Sequence, residues 1–537
     1  MNKHISRRNW LKKSFFCFLA PGFANKKITN SKKIPKNEST SEKFKIFWGD
    51  LHNHNSVGYA KGSLKRTFEI AKSHLDFFAF TPHSQWHDMP QMEGDKHLKW
   101  VNGFEETKNR WNEVQKICAY YNKTGEFITF PAYEWHSSYY GDYCIIFPYD
   151  YAPLIIFNDI KSLQEFAKKE GAVIIPHHPG YRTGHRGANF DFLDSEVSPV
   201  LEIYSEHGNA ERDDAPYQYI RHSMGGSWTK NTLQYALASG HRIGVMANTD
   251  DHLGYPGAYG EGLAGVIAED LSRESILDAV KKRRTYGVTG DRINLNFRLN
   301  GHFMGQEIPF STERDMYIRA SGWDKIERVE VIKNNQVIYR DFPMDRKLSR
   351  SSWNKQILLR IEFGWGPWAD LNMSRICDWE IEVQISDGEI NNIQPCFQSG
   401  PLSESQRNLI KERTKNTCLI KSYTSRQQAF AEKPTNAVVL NISGTPETKL
   451  SLTINKPTKM VINKLLKELS ENNDIFFTGP FPNESLLIHP LVFSEHFKTE
   501  FNIIDKQLTR SINWYYIRVI QANGQLAWSS PIWVEKV

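Results

Sequence analysis

Between residues 44 and about 290, short apolar runs alternate with amphipathic segments, and this alternation restricts the possible folds more than any other feature. The apolar runs have the length of β-strands, and they end at Trp48, Phe80, Phe130, Phe147, Ile175, Tyr204, Ala247 and Ala268. The amphipathic segments predict helices over residues 64–73, 104–121, 160–170, 229–239 and 273–284. Such alternation is typical of βα units in a barrel or an open sheet. We expect a barrel, because polar residues follow one strand after another and βα barrels build their sites at the carboxyl ends of their strands.

After residue 290 the sequence changes to short strand-like segments separated by turn signals, of which Asn523-Gly524 is the clearest hairpin turn. Residues 44–290 are therefore predicted to form an α/β barrel domain, and residues 291–537 a β-sandwich-like C-terminal domain. Within the second domain, residues 397–427 are polar without a clear period, which predicts a loop insertion.

The N-terminus carries Arg7 and Arg8 within a Ser-Arg-Arg-Asn-Trp-Leu-Lys segment, followed by a short apolar run. This pattern resembles a twin-arginine export signal, so residues 1–24 are predicted to be a signal peptide and residues 25–43 a disordered linker. The apolar run is too short to cross a bilayer, which needs about 20 residues. We therefore expect an exported protein, periplasmic or extracellular, with no membrane span in the mature chain.

The net charge of +6 comes from the first 43 residues, which carry eleven Lys and Arg against two Glu. The rest of the chain is slightly acidic, so nucleic acid is not an expected partner. Of the six cysteines, Cys17 lies in the predicted signal peptide and the other five are widely spaced. This odd number argues against a disulfide framework, and a Cys377–Cys396 bridge is left open.

Side chains that bind metals occur at six of the predicted strand ends. His52 and His54 follow the first strand, and their spacing of two places both imidazoles on one face of an extended segment. The other five strand ends carry His83, Glu134, the pair His177-His178, the group Glu202, Glu206 and His207, and finally Asp250 with His252. Imidazoles and carboxylates suit Zn, Fe or Mn. A bridging carboxylate can hold two such ions about 3.5–4 Å apart, an arrangement that polarises a phosphoryl or carbonyl oxygen and activates water.

The strand-end motifs also carry a family resemblance. They are Gly49-Asp50-Leu51-His52-Asn53-His54, Thr81-Pro82-His83-Ser84, Tyr133-Glu134-Trp135, Pro176-His177-His178-Pro179, Glu202-Ile203-Tyr204-Ser205 and Asp250-Asp251-His252. They occur in the order of the PHP (polymerase and histidinol phosphatase) superfamily, which the chain resembles over nearly everything after residue 44. Residues 261–266, 283–290 and 527–534 resemble a large bacterial PHP-like family of uncharacterised function with a β-rich C-terminal region.

The resemblance implies a distorted seven-stranded βα (TIM-like) barrel with two or three divalent metal ions and hydrolysis of phosphoesters. It assigns one ion to His52, His54, Glu134 and Asp250, with Glu134 bridging to a second ion. It assigns that second ion to His178, with His177 beside it, and a third position to His83 and His252.

Three departures from the superfamily pattern bear on the number of ions. Pro82 stands where an aspartate is usual, and no histidine follows His54 in residues 55–62. Asp142 stands where relatives commonly have a histidine. Either Asp142 or His136 would replace that histidine as a ligand, or the second metal would be bound more weakly. We therefore expect two ions rather than three.

The predicted function is an exported, metal-dependent hydrolase, a phosphoesterase that acts on a small-molecule or glycan-linked substrate. Glu134, His207 and Arg182 are the predicted catalytic residues, with His207 as proton donor to the leaving group. The predicted substrate-binding residues are Arg182, Arg186, Glu202 and Glu206, since arginine recognises phosphate or carboxylate.

Two other functions fit the same sequence. Metal-dependent hydrolysis of an amide, a lactone or a glycan-linked ester uses the same chemistry, because a barrel does not fix the reaction. A non-catalytic carbohydrate- or surface-binding protein on a degenerate barrel is the third hypothesis, and Pro82 and Asp142 favour it. Metal identity and oligomeric state are left open.

Overall fold

The computed structural model describes residues 28–30, 43–215, 226–366, 376–425, 434–480, 483–507 and 509–535. The predicted signal peptide lies outside the described residues. The helices are α1 Leu64–His74, α2 Leu98–Tyr121, α3 Ile160–Glu170, α4 Leu233–Ala238, α5 Arg273–Lys281 and α6 Ser494–Phe497. Among the described residues, no helix combines the length and the apolar character needed to cross a bilayer.

The first half of the chain contributes its described strands to three sheets. Its strands are β1 Ile28–Asn30, β2 Lys45–Asp50, β3 Phe77–Phe80, β4 His83–Trp86, β5 Ile128–His136, β6 Tyr143–Ile146, β7 Val173–Pro176, β8 Val200–Ser205, β9 Gly208–Asn209, β10 Gly244–Ala247, β11 Leu263–Ala268 and β12 Thr285–Val288. Strands β2, β3 and β5 are parallel neighbours, and β6 runs antiparallel between β5 and β7. Strands β8 and β10 form a separate parallel pair, and β11 runs antiparallel to both β2 and β12.

Seven of these strands contribute to one hydrophobic interior. Its buried side chains come from β3, β5, β6, β7, β8, β10 and β11, and Ile276 and Val280 of α5 pack against them. Ser272 begins α5 by accepting a hydrogen bond from Ser275 N at 3.1 Å. Strand β7 lies beside β8 and β10 lies beside β12, but in the described part of the chain no backbone ladder joins either pair. A closed seven-stranded barrel therefore remains a prediction.

The second half of the chain is built of strands. They are β13 Asn294–Leu299, β14 His302–Phe303, β15 Glu307–Pro309, β16 Arg314–Ser321, β17 Ile326–Lys333, β18 Gln336–Asp341, β19 Ile357–Gly364, β20 Ile376–Ser386, β21 Glu389–Cys396, β22 Leu409–Lys411, β23 Thr417–Ser425, β24 Thr435–Ser443, β25 Lys449–Lys456, β26 Met460–Leu465, β27 Asp474–Phe477, β28 Ser485–Ile488, β29 Val492–Phe493, β30 Lys498–Asp505, β31 Ile512–Gln521, β32 Leu526–Ser529 and β33 Ile532–Glu535. Sheet β21-β24-β19-β28-β27 and sheet β22-β23-β20-β25-β26 share a core of alternate residues, among them Ile361, Phe363 and Trp379. This is the period of strands that bury one face in a sandwich.

The two halves share a sheet. Strand β32 pairs antiparallel with β12, and β31 connects β32 to β17 and β33. The ladder therefore crosses residue 290, the predicted domain boundary.

Strands lie within two segments that were predicted to be irregular. Strands β22 and β23 lie inside the predicted loop insertion at residues 397–427. Ser422 and Thr424 occupy buried positions of β23, where Thr424 accepts a hydrogen bond from Trp379 Nε1 at 2.9 Å. Because these buried residues are polar, the sequence of β23 lacks the alternation of apolar and polar residues that predicts a strand. Within the predicted disordered linker, β1 pairs antiparallel with β30, and residues 25–27 and 31–42 lie outside the described residues. Cys377 and Cys396 both carry free thiols.

Candidate metal centre

Two chain segments that lie side by side bring the first ligands together. His52 and His54 follow β2, and Asp250 follows β10. Asp250 N donates to His52 O at 2.8 Å. The buried carboxylate of Asp50 accepts hydrogen bonds from Thr249 N at 3.1 Å and from Thr249 Oγ1 at 2.5 Å. These bonds tie the end of β2 to the end of β10 and fix the face that carries the two imidazoles.

His52, His54, Asp250 and Glu134 form a compact, fully buried set. His54 Nε2 lies 2.9 Å from Asp250 Oδ1, 3.1 Å from His52 Nε2 and 3.4 Å from Glu134 Oε2. His52 Nε2 lies 3.2 Å from the same Asp250 oxygen. None of the four is more than 2% exposed. Two imidazole nitrogens therefore converge on carboxylate oxygens, as the ligands of a single transition metal do.

Glu134 stands at the middle of the centre, on β5. Its Oε2 faces His54 and His83, the latter at 3.2 Å. Its Oε1 lies 2.8 Å from His177 Nε2 and 3.2 Å from His136 Nδ1. Because each carboxylate oxygen meets a different group of imidazoles, Glu134 has the position of a bridging ligand. His177, and not His178, is its contact on this side.

Asp142 forms a separate corner with His136, His178 and Arg186. Asp142 Oδ2 lies 2.9 Å from His136 Nδ1 and 3.4 Å from His178 Nε2. Arg186 Nε donates to the same oxygen at 2.7 Å, and its side chain is 12% exposed. The guanidinium of Arg186 is thus engaged with a buried carboxylate, and its predicted role in substrate binding stays a prediction. Both sequence alternatives, Asp142 and His136, meet at this corner.

A third group gathers His83 and His252 near His54. One ring nitrogen of each of the three lies within 4.8 Å of the others. The ring of Tyr59 stacks on His83 with centroids 3.7 Å apart. His252 Nδ1 lies 2.9 Å from Glu206 Oε1. Burial lowers the pKa of His252, but the effect of the Glu206 carboxylate is larger than that of burial and raises the pKa to about 9. Glu206 thus contacts a histidine of the centre, its side chain is 25% exposed, and its predicted role in substrate binding stays a prediction.

Glu202 lies behind the centre. His52 Nδ1 donates to Glu202 Oε2 at 3.0 Å, and Asn248 Nδ2 donates to it at 3.1 Å. Glu202 is 1% exposed and its contacts are with side chains of the centre, so its predicted role in substrate binding stays a prediction. A carboxylate on the far nitrogen of a histidine orients the ring and turns its other nitrogen toward the metal position.

His207 lies at the more open side of the centre, in the turn between β8 and β9. Its Nε2 is 2.9 Å from Asp250 Oδ2, and its Nδ1 is 2.6 Å from the hydroxyl of Tyr181. The His207 side chain is 13% exposed, compared with 2% for Asp250. Arg182, in contrast, is exposed, and its guanidinium lies 5.4 Å from the centroid of Trp228. The structure therefore brings His207 to the centre and leaves Arg182 outside it.

The segment after His207 is anchored by the C-terminal half. The buried carboxylate of Glu211 accepts hydrogen bonds from Arg518 Nη1 at 2.6 and 2.7 Å, from Tyr516 Oη at 2.7 Å and from Trp528 Nε1 at 2.9 Å. Arg518 Nε also donates to Glu330 at 2.8 Å. Strands β31 and β32 thereby fix the segment that leads away from β9. No sequence motif pointed to this anchor.

Burial and neighbouring charges set the protonation states of the centre. Burial lowers the pKa of His54 and of His178 to about 4. Burial opposes ionisation of Glu134, Asp142 and Asp250, but adjoining imidazoles and one guanidinium hold the pKa of each carboxyl well below its ordinary value. Neutral imidazoles and ionised carboxylates are the forms that bind metals. For His52, burial lowers the pKa but the Asp250 carboxylate and other neighbours outweigh it and raise the pKa well above its ordinary value, so a metal at His52 would displace a proton.

The buried histidines and carboxylates fit divalent transition metals. Two buried atoms that face the centre, Glu134 Oε2 and His177 Nε2, have no hydrogen-bond partner. Buried polar atoms are normally paired, and a cation bound at the centre would satisfy these two. The sets His52–His54–Glu134 and His83–Glu134–His136 each place ligand atoms within 4.8 Å of one another. These clusters can hold metal ions.

Sequence reasoning missed Cys144 and Tyr59. The buried Cys144 pairs with Glu134 across the β5–β6 ladder, and its sulfur lies within 4.8 Å of ring nitrogens of His52 and His177. Asp142 directly precedes β6, and its spacing of two from Cys144 is the sequence signal for a shared face. Tyr59 lies in a loop with no periodic pattern.

Comparisons with known proteins give partial matches. A family model described as a protein of unknown function, DUF3604, matches residues 256–315. An uncharacterized protein of Chlamydia trachomatis is 30% identical over 174 residues, which are 29% of this chain and 28% of that protein. An uncharacterized protein of Chlamydia muridarum is 29% identical over 174 residues, with the same shares of both chains. The match thus spans less than a third of the length of these relatives.

One solved structure covers more of the chain at lower similarity. It is a two-domain protein from Bacteroides vulgatus containing a predicted PHP-like metal-dependent phosphoesterase. It has a TM-score of 0.31 and 10% sequence identity, and the alignment covers 79% of this chain and 96% of that one.

Proposed function

We propose that this protein is a metal-dependent hydrolase of phosphoesters that binds two divalent transition metal ions, with Zn, Mn or Fe as candidates. The arrangement around Glu134 carries the proposal, because one buried carboxylate contacts imidazoles with both of its oxygens. His52, His54, Asp250 and Glu134 would hold the first ion. A second ion would share Glu134 and take the imidazoles beside it, either His83 and His252 or His177 and His178.

The charge of the centre supports an anionic substrate. Four buried carboxylates, those of Glu134, Asp142, Glu202 and Asp250, lie in or beside the centre, and the guanidinium of Arg186 contacts two of them, Asp142 and Glu134. Buried charge that is not offset is strongly unfavourable. Two divalent cations would more than offset the surplus negative charge, and the slightly positive site that results favours a phosphate group over a neutral ester.

The side chains around the metal positions have separate tasks. Ions of this kind, when bound, activate water and offset the charge that develops on a phosphoryl oxygen. Asp250 accepts from His207 and holds it at the open side, where His207 can deliver a proton to a leaving alcohol. Glu202 orients His52 from behind. The twin-arginine-type segment around Arg7 and Arg8 supports export as part of this proposal.

Metal content and turnover of three proteins test the proposal: wild type, His54→Ala and His302→Ala. His302 is an exposed histidine of β14 and serves as the matched control. Wild type and His302→Ala should contain about two equivalents of transition metal and hydrolyse p-nitrophenyl phosphate or its diester. His54→Ala should lose metal and turnover while its circular dichroism is unchanged.

Two results would contradict the proposal. Wild type without bound metal after reconstitution with Mn, Zn and Fe would reject the metal centre. Full metal content with hydrolysis of p-nitrophenyl acetate or an anilide, and none of either phosphoester, would reject the substrate class in favour of a carbonyl centre.

A further inference from the structure

We infer that the guanidinium of Arg186 takes the place of a metal ion at the Asp142 corner, so that the two ions lie at the His52–His54 and His83–His252 positions. This inference rests on the proposed metal centre and names which of its positions are available. It concerns the number and location of ions, and not the reaction.

The contacts of Arg186 are those a cation would make at this corner. Arg186 Nε lies 2.7 Å from Asp142 Oδ2, and Nη2 contacts the same oxygen. Nη2 also lies 3.0 Å from His136 Nδ1 and 4.0 Å from Glu134 Oε1. His178 Nε2 approaches Asp142 Oδ2 from another side at 3.4 Å. A single positive group therefore meets two carboxylates and an imidazole that would otherwise be ligands.

The backbone fixes this guanidinium in position. Arg186 adopts a left-handed conformation with φ of +69°, which is unfavourable for a residue with a Cβ. Its N–H donates to Ser138 O at 3.1 Å. At Gly187, a Cβ would lie 1.7 Å from Tyr181 O, so the loop closes around this point. Above the guanidinium, the Trp86 ring lies with its centroid 5.0 Å away. Strain that the surrounding structure holds in place indicates a required side-chain position.

The pair of Asp142 with Arg186 explains why a carboxylate suits this position. A guanidinium stays protonated at all relevant pH values. A carboxylate neutralises its positive charge, whereas a neutral imidazole at the same position would not. A divalent ion and a guanidinium repel each other strongly at the short distance that a shared carboxylate oxygen would impose. The corner therefore excludes a metal while Arg186 is present.

The remaining imidazoles still provide a second ion position. His83 Nε2 lies 3.2 Å from Glu134 Oε2, on the side of Glu134 away from Asp142. His252 is close to both His54 and His83, with ring centroids 4.5 and 5.3 Å away. Glu134 Oε2 faces both His54 and His83, so this one oxygen can be shared by an ion at His52–His54 and an ion at His83–His252 without using Asp142.

The test is the metal stoichiometry of purified full-length protein, measured by elemental analysis after reconstitution with Mn or Zn and desalting. Wild type should bind two equivalents. Arg186→Met should bind one more than wild type, because it leaves Asp142, His136 and Glu134 without their cation. Arg182→Met, an exposed arginine of the same loop, should bind two. Arg186→Lys should also bind two, since it keeps the positive charge.

The double variant Asp142→Asn/Arg186→Met removes both charges and keeps the test decisive if Arg186→Met does not fold. It should retain two equivalents, because Asp142 is not a metal ligand in this scheme. A fall to one equivalent in the double variant, no gain in folded Arg186→Met, or three equivalents in wild type would each overturn the inference. Wild type without metal would instead reject the metal centre itself.

Discussion

Replacing Glu211 with alanine should destabilise the protein by about 3–5 kcal/mol, the cost of removing one partner of a buried ion pair. Glu211 is 0% exposed and accepts hydrogen bonds from Arg518, Tyr516 and Trp528. Its removal withdraws a charged acceptor from three buried donor groups, and each such loss costs about 1–3 kcal/mol without being additive. Arg518 keeps its contact with Glu330, so we expect the loss in the free energy of unfolding to lie in the lower half of this range.

The assay is urea unfolding followed by circular dichroism and by tryptophan fluorescence, with Glu269→Ala as the control. Glu269 pairs with Lys43 at 2.8 Å, but the two side chains are 42% and 63% exposed. Exposed pairs contribute about 0–1 kcal/mol. A Glu211→Ala protein within 1 kcal/mol of wild type would refute the claim that the C-terminal strands anchor the His207 segment through this carboxylate.

Two further predictions concern stability away from the centre. Ser272→Ala removes the N-cap of α5 and should cost about 1 kcal/mol in urea unfolding, whereas an unchanged midpoint would deny the cap a role. For Glu362, burial raises the pKa but His489 and Arg360 outweigh it and lower the pKa from 4.5 to about 2. Because the folded-state pKa is depressed, the stabilisation is present above about pH 4.5 and disappears as the pH falls toward 2. Glu362→Gln should therefore lower the unfolding free energy by about 2 kcal/mol at pH 6 and by little at pH 2.5, and an equal loss at both pH values would contradict the assignment.

The elements of the first half could be predicted because their periods are regular. Helix α3 spans Ile160–Glu170, as predicted, and its start and end follow from Asp159 as N-cap and Gly171 with φ of +66°. The direction of β6 could not be predicted, since a four-residue apolar strand looks the same whether it runs parallel or antiparallel. Strand β23 was obscured by buried Ser422 and Thr424, whose hydrogen bonds are visible only in the folded structure.

The candidate site was predictable where its residues follow strand ends. The spacings of His52 with His54 and of Asp250 with His252 indicated shared faces, and the structure brings these residues to the same cluster. Pairings across the chain were not predictable. Arg186 contacts Asp142, and Glu202 contacts His52 from behind. Both contacts depend on side-chain directions that no local sequence pattern encodes.

The ladder between β12 and β32 has a consequence for the order of events during synthesis. Strand β10, which leads to Asp250, lies beside β12, whose other edge pairs with residues 526–529. A growing chain presents that edge of β12 unpaired until residues 526–529 have been synthesised. The sheet beside the candidate metal centre is therefore completed by a strand that is distant in sequence, so this part of the fold forms late.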